Sequence, residues 1–383
     1  MAAQTGSAGR LYYVDWLRAI AIVFIFLYHS NRFFNDSSWH IANAQVSLGS
    51  AVLVDTLNIF IMPLFFFLSG AAIYYSLKSR TVGGFLKERV LRVAVPWVIV
   101  GMFIVGPIQV YLERYTHGQF TGNFFQFLWP HYFQGLYGLT PGGNFAFAGM
   151  HLWYLMQLFL FSLIFLPLFL PRKSTGVSRL SGLSARLASP WGLLFPLLLL
   201  VIASLLKDPL GLGFTEQMGS WDILSYMAFF ISGYMIFSSL RFQDIVRRYA
   251  FVTLALALVF TAYQWAFWIA LEARGFPDLR GLPAWALVLT IVGLGSRYLN
   301  FNNPRREAVN EAVMPFYILH QTVILLVGFF VIPLALSVPG KLAIILPAAF
   351  IGILLLYWVV KRVNVLRFIF GMKIISRRKI PRS

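Results

Sequence analysis

The sequence predicts an all-α, polytopic membrane protein with about ten transmembrane helices and cytoplasmic N- and C-termini. Three observations carry this expectation: the composition, the spacing of apolar runs, and the placement of basic residues between them. Hydrophobic residues make up 59% of the 383 positions, aromatics 17% and charged residues only 11%, with a mean hydropathy of +0.75. So little polar surface cannot cover a soluble globule. The formal net charge of +18 is scattered over short loops and the C-terminal end. In a membrane protein that pattern sets orientation rather than binding nucleic acid. There is no cysteine, which excludes disulfides, thiolate catalysis and Cys-based metal sites.

Apolar runs long enough to cross a bilayer fall at 12–33, 50–76, 90–112, 149–170, 191–206, 222–239, 249–271, 282–299, 311–333 and 342–361. They group as one transmembrane domain over 1–365, followed by a basic cytoplasmic tail at 366–383 that faces lipid headgroups. Nothing before Tyr12 has the form of a cleavable signal peptide, so the first run is expected to stay in the membrane. The stretch 120–138 is too polar and too rich in glycine and aromatics to span; its Trp and Tyr suit an interfacial helix or lid. With the N-terminus placed inside, 24 of the 31 Lys and Arg fall in cytoplasmic segments, including Arg10 and eight from Lys361 onward. Six fall opposite: Arg32, Arg114, Lys207, Arg274, Arg280 and Lys341. That asymmetry fixes the expected sidedness. Only Arg18 is left, inside the cytoplasmic half of the first run.

The first run, YVDWLRAIAIVFIFLYHSNRFF, carries that arginine and also His29. Eleven positions of α-helix rise about 16 Å and fall about 20° from three full turns, so the two side chains share one face. An arginine near a helix end also snorkels, and a lone histidine also serves as a hydrogen-bonded bundle residue. Both together on one face point to function, because an intramembrane ionisable group is costly without a partner or cavity.

The second run holds Asp55 and Asn58 in its outer half, where Asp55 can orient an imidazole, and Ser69-Gly70 further in. A small pair of that kind permits close helix approach and also lets backbone approach a bound chain. Arg89 and Arg92, three apart on one face, open the third run. They are read here at a helix N-terminus, where free N–H groups also favour an anion. The fourth run begins with His151 and Trp153, a pair that equally suits an aromatic belt. His320, followed by Gln321, lies mid-membrane in the ninth. No HExxH or comparable metal-ligand spacing exists.

Cations at the cytoplasmic mouth and imidazoles deeper in match the two ends of an acyl-coenzyme A. Arginines hold its polyanionic head, and an imidazole, with an ordinary pKa of about 6.5, removes a hydroxyl proton from an acceptor.

Arg18 and His29 with ten residues between them resemble the Arg-X10-His signature of the integral-membrane acyltransferase-3 family. Arg89-Val-Leu-Arg92 resembles its Arg-X-X-Arg motif, and Phe67-Leu-Ser69-Gly70 its Ser-Gly motif. His151-Leu-Trp-Tyr and Phe316-Tyr-Ile-Leu-His320-Gln-Thr are similar to the branch whose members succinylate osmoregulated periplasmic glucans. The resemblance implies an O-acyltransferase of the bacterial plasma membrane. It would move an acetyl or succinyl group from cytoplasmic acyl-CoA to an extracytoplasmic glycan or other hydroxyl acceptor. Arg18 and His29 would carry the transfer, with Arg89, Arg92, Ser69 and Gly70 on the donor. His151, His320, Asp55 and Trp153 are the candidates for the acceptor. Acyl-CoA, acceptor and membrane lipids are the expected partners; no tightly bound cofactor, metal or nucleic acid is expected. The competing class is a transporter or flippase without chemistry, which would show an internal repeat more readily than this sequence does.

Overall fold

A computed structural model describes residues 11–134, 146–212, 218–266 and 279–375. Arg10, Arg274, the ends of the 120–138 and 249–271 stretches and the tail beyond 375 lie outside the described residues. Among the described residues there are helices and turns, and no strand beyond one isolated bridge between Pro171 and Ser178. In chain order the main elements are α1 (Tyr12–Asn31), α2 (Leu48–Ser79), α3 (Val82–Thr116), α4 (Trp153–Ile164) and α5 (Phe195–Leu206). They continue as α6 (Ile223–Ser238), α7 (Leu240–Arg248), α8 (Ala250–Ala266), α9 (Gly281–Tyr298), α10 (Arg305–Val331) and α11 (Val338–Val360).

The starts of these helices follow from local chemistry. Ser47, Thr81, Asp222, Ser239 and Ser337 each accept a hydrogen bond from a backbone N–H in the first turn, which satisfies a donor the helix leaves open. Pro63, Pro315 and Pro347 lie inside α2, α10 and α11, as membrane helices tolerate. α3 widens to π-winding over Val90–Ala94 and Pro96–Val105. Pro96 lacks an N–H and its ring crowds the preceding turn, so tight α-winding is lost around it.

Among the described residues five helices are long and apolar enough to cross a membrane: α1 continued to Phe34, α2, α3, α10 and α11. α6 and α7, bent by 105° at Ser239, make a sixth if taken as one broken span. The remaining expected runs fall on shorter or less apolar helices. Trp191–Leu206, for example, rises about 24 Å, short of a hydrocarbon core of about 30 Å. The 149–170 run is interrupted by a turn at Phe165, an apolar residue that hydropathy reads as continuous span. α11 presents Ile351, Leu354, Leu355, Leu356 and Trp358 outward, an apolar face suited to lipid rather than water.

The chain forms two compact units. One comprises Met1–Phe24, Thr56–Ser79 and Pro167–Asn310. Within it α2 and α6 meet backbone to backbone: a Cβ on Gly70 would collide with the carbonyl of Phe230, and one on Gly233 with the carbonyl of Phe67. Small residues allow this approach, and the gain is van der Waals contact. Asp15 at the start of α1 pairs with Arg306, which also lies 4.9 Å over the Tyr12 ring.

The other unit comprises Ile25–Asp55, Arg80–Leu166 and Glu311–Ser383. Phe26, Phe316 and Phe350 form a mutual ring cluster at 5.9–6.1 Å, and the Phe33 ring lies where Gly328 has no side chain. Arg367 bonds Glu311 at 2.7 Å. Of the interfacial stretch, Phe124–Phe127 forms a short helix capped by Asn123; Phe127 and Tyr132 are buried, and Phe125 and Trp129 point outward.

Candidate active site

α1, α10 and the turn before α4 bring the three candidate histidines of the second unit together. His29 and His320, 291 residues apart, approach to 3.0 Å between His29 Nδ1 and His320 Nε2. Their rings are 4.9 Å apart, and the His151 ring stands 5.0 Å from His320. His320 is fully buried and His151 nearly so; His29 is half-buried.

The hydrogen bonds fix which nitrogen holds each proton. His320 Nδ1 lies 2.6 Å from the Tyr317 carbonyl. A carbonyl only accepts, so neutral His320 carries its proton there and offers Nε2 as an acceptor. His29 Nδ1 also lies 3.1 Å from the Ile25 carbonyl, so Nδ1–H of His29 is the donor. Among the described residues no hydrogen bond reaches His29 Nε2, whose lone pair is the free one on that ring. His29, His320 and the Tyr317 carbonyl thus stand in series, an imidazole held in one tautomer by its neighbours.

His151 is held the other way. Its Nε2–H donates to the carbonyls of Tyr317 at 3.2 Å and Ile318 at 3.1 Å, and Tyr317 returns its hydroxyl to the His151 carbonyl at 2.6 Å. His151 Nδ1 accepts from Gln109 Nε2 at 3.0 Å, which also donates to Thr322 at 2.8 Å. Gln321 Nε2 donates to Gln109 Oε1 and to His40 Nε2, both at 3.1 Å. His40 Nδ1–H completes the series on the Glu113 carboxylate. The backbone before His151 is left-handed at Gly149 and at Met150, with φ of 80° and 54°, a costly conformation for a non-glycine residue. That turn sets the histidine at the head of α4.

Arg18 lies in the first unit, where its Nη2 donates to the Leu68 carbonyl at 3.3 Å, the residue before Ser69-Gly70. α1 itself is helical without a break from Tyr12 to Asn31. The contact with α6 uses Gly70 for close approach. Arg89 and Arg92 converge with Arg80 on the Glu88 carboxylate, at 3.7, 3.6 and 3.3 Å. One expectation is corrected here. α3 begins at Val82, capped by Thr81 with Gly83 and Gly84 in its first turn. The arginines therefore stand two and three turns inside the helix, not at its open N-terminus; the N–H of Val90 between them is already bonded to Leu86 and Lys87.

Asp55 has Arg32 and Asp36 as its charged neighbours, and the hydrogen bonds that His29, His40, His151 and His320 make go to other groups than its carboxylate. Trp153 is buried as the first residue of α4. Among the described residues no group of three His, Cys, Asp or Glu is arranged to hold a metal ion.

Sequence reasoning missed Gln109, His40, Glu113 and the part played by Gln321. Gln109 carried a readable signal, a lone amide in an otherwise apolar run. His40 did not: its surroundings, Asn35 to Asn43, read as a solvated loop.

A family model described as "Acyltransferase domain" matches residues 11–360. Among curated proteins the chain is similar to "Glucans biosynthesis protein C" of Salmonella agona strain SL483, 25% identical over 96% of each chain. It is also similar to the protein of that name from Escherichia coli O157:H7, 23% identical over 97% of each. No solved structure matches.

Proposed function

The chain belongs to the integral-membrane acyltransferase-3 family, and from that premise we propose that it moves an acetyl or succinyl group from cytoplasmic acyl-CoA to an extracytoplasmic glycan hydroxyl. The glycan acceptor is supported by the name its relatives carry. In this reading the protein crosses the bacterial inner membrane ten times with both termini inside, as the loop charges favour.

The observation that carries the mechanism is His29 Nε2, which no described residue bonds, while His29 Nδ1–H is held on His320 and His320 on Tyr317. His29 Nε2 takes the acceptor's hydroxyl proton as its oxygen bonds the thioester carbon. The C–S bond then breaks, and the thiolate takes the proton from His29. His320 accepts throughout from Nδ1–H, keeping the base in one orientation and stabilising its protonated form. Arg18 places the donor or offsets charge on the thioester oxygen. Arg89 and Arg92 take the nucleotide phosphates, Ser69-Gly70 lines the donor's path, and His151, Asp55 and Trp153 serve the acceptor.

The test is purified protein with radiolabelled acetyl-CoA or succinyl-CoA and a membrane glycan extract. Label in the glycan with one donor is expected. Substrate movement in liposomes without an acylated product would establish transport instead. Arg89→Ala with Arg92→Ala is expected to weaken donor binding about thirtyfold, from about 1 kcal/mol for each partly exposed charge-assisted contact. Unchanged donor affinity in a calorimetric titration rejects that assignment.

A further inference from the structure

Two adjacent residues of the loop between α1 and α2 meet two neighbouring parts of the histidine cluster. The Trp39 ring lies against His29, centroids 6.2 Å apart and planes within 25°, and is wedged at 4.7 Å by Phe33. The Arg32 guanidinium sits 6.0 Å from the same indole. His40, the next residue, reaches the other way: it donates to Glu113 of α3 and accepts from Gln321 of α10. The loop is tied down besides. Thr116 donates to the His40 carbonyl at 3.0 Å, Asn43 N–H to Phe33 and Ser47 N–H to Phe34, both at 2.8 Å. Buried Lys341 donates to Asn43 at 2.6 Å.

A base beside a thioester is open to a competing reaction. If water reaches it, the water oxygen bonds the thioester carbon and the C–S bond breaks. The proton passes through His29 to the thiolate, giving free acid and CoA. The same base and the same bonds serve transfer and hydrolysis; only the nucleophile differs. Selectivity therefore rests on excluding water from His29. Trp39 is the large apolar group that lies against that ring from the loop. Its position depends on its neighbour's bond across to α3.

We propose that His40 and Glu113 are positioning residues for acyl transfer: their pair clamps the loop so that Trp39 covers His29 and water is kept from the thioester. Gln321 and Gln109 extend the clamp to His151, so the cover and that imidazole are held by one set of bonds. This inference rests on the acyl-CoA reading above.

The experiment measures free acid and acylated glycan together, from labelled acyl-CoA and full-length protein in lipid nanodiscs. Glu113→Ala and His40→Ala are expected to raise the ratio of hydrolysis to transfer about tenfold or more. Glu113→Gln, whose amide oxygen still accepts from His40, is expected to stay near the wild-type ratio. Trp39→Ala, which leaves the clamp intact, is expected to raise the ratio as the alanine clamp variants do. An unchanged ratio in Trp39→Ala, or a parallel loss of both products in folded clamp variants, overturns the inference. Wild-type protein that neither transfers nor hydrolyses would overturn the acyl-CoA reading, and this inference with it.

Discussion

His29→Ala is expected to abolish glycan acylation, with a loss of about 10²- to 10⁴-fold in turnover, while the protein still inserts and elutes as a folded species. The size follows from the roles in the site. No described residue bonds His29 Nε2, whereas His320 is engaged by the Tyr317 carbonyl and by His29, and His151 by two carbonyls and the Gln109 amide. Folding should survive because His29 is half-buried at the end of α1. Removing it leaves His320 Nε2 without a donor, at about 1 to 3 kcal/mol, which a water in the vacated space can reduce. Donor affinity is expected to stay near wild type, since His29 acts on the acceptor's proton. His320→Phe should lower turnover by a smaller factor, because the base remains and only its tautomer and orientation are released. Turnover of labelled acyl-CoA into glycan, with size exclusion as the folding control, checks both. An active His29→Ala protein would remove the base from the mechanism.

Gly70→Val is expected to remove the folded protein from a detergent extract, at a cost above about 4 kcal/mol. The added Cβ meets the backbone of α6 at the Phe230 carbonyl and the Tyr234 nitrogen. A flexible side chain could turn aside; the backbone of a packed helix moves only by displacing the helix. Gly233 faces the Phe67 carbonyl in the same way, so neither helix can yield toward the other. Ser69→Ala removes one hydroxyl and no packing volume of that kind, and is expected to fold. Fluorescence-detected size exclusion with a thermal ramp separates the two. A Gly70→Val protein with wild-type Tm would show that the helix contact tolerates the added side chain.

Most of the fold class was legible because burial in lipid leaves a local mark. Apolar runs and the excess of Lys and Arg in alternate loops lie within a few residues of what they control. The one-face register of Arg18 and His29 was likewise available, since the period of a helix carries it over eleven positions. The turn inside the 149–170 run was not: Phe165 is as apolar as its neighbours, so hydropathy carries no mark of it. The N-terminus of α3 was misplaced because Gly83-Gly84 reads as a linker, yet Thr81 starts the helix just before it.

By itself the sequence put the candidates forward: a histidine and an arginine in one apolar run, an arginine pair in another, a Ser-Gly step, and motifs that resemble those of the family. Only the tertiary structure decided what those residues do to one another. His29 takes its proton arrangement from His320, 291 positions away, and Gln109 and Gln321 join His151 to His40 in the loop after α1. Such pairings depend on the depth and rotation at which helices settle against each other. Those are set by contacts such as Phe33 filling the space at Gly328, and neither helical period nor hydropathy encodes them.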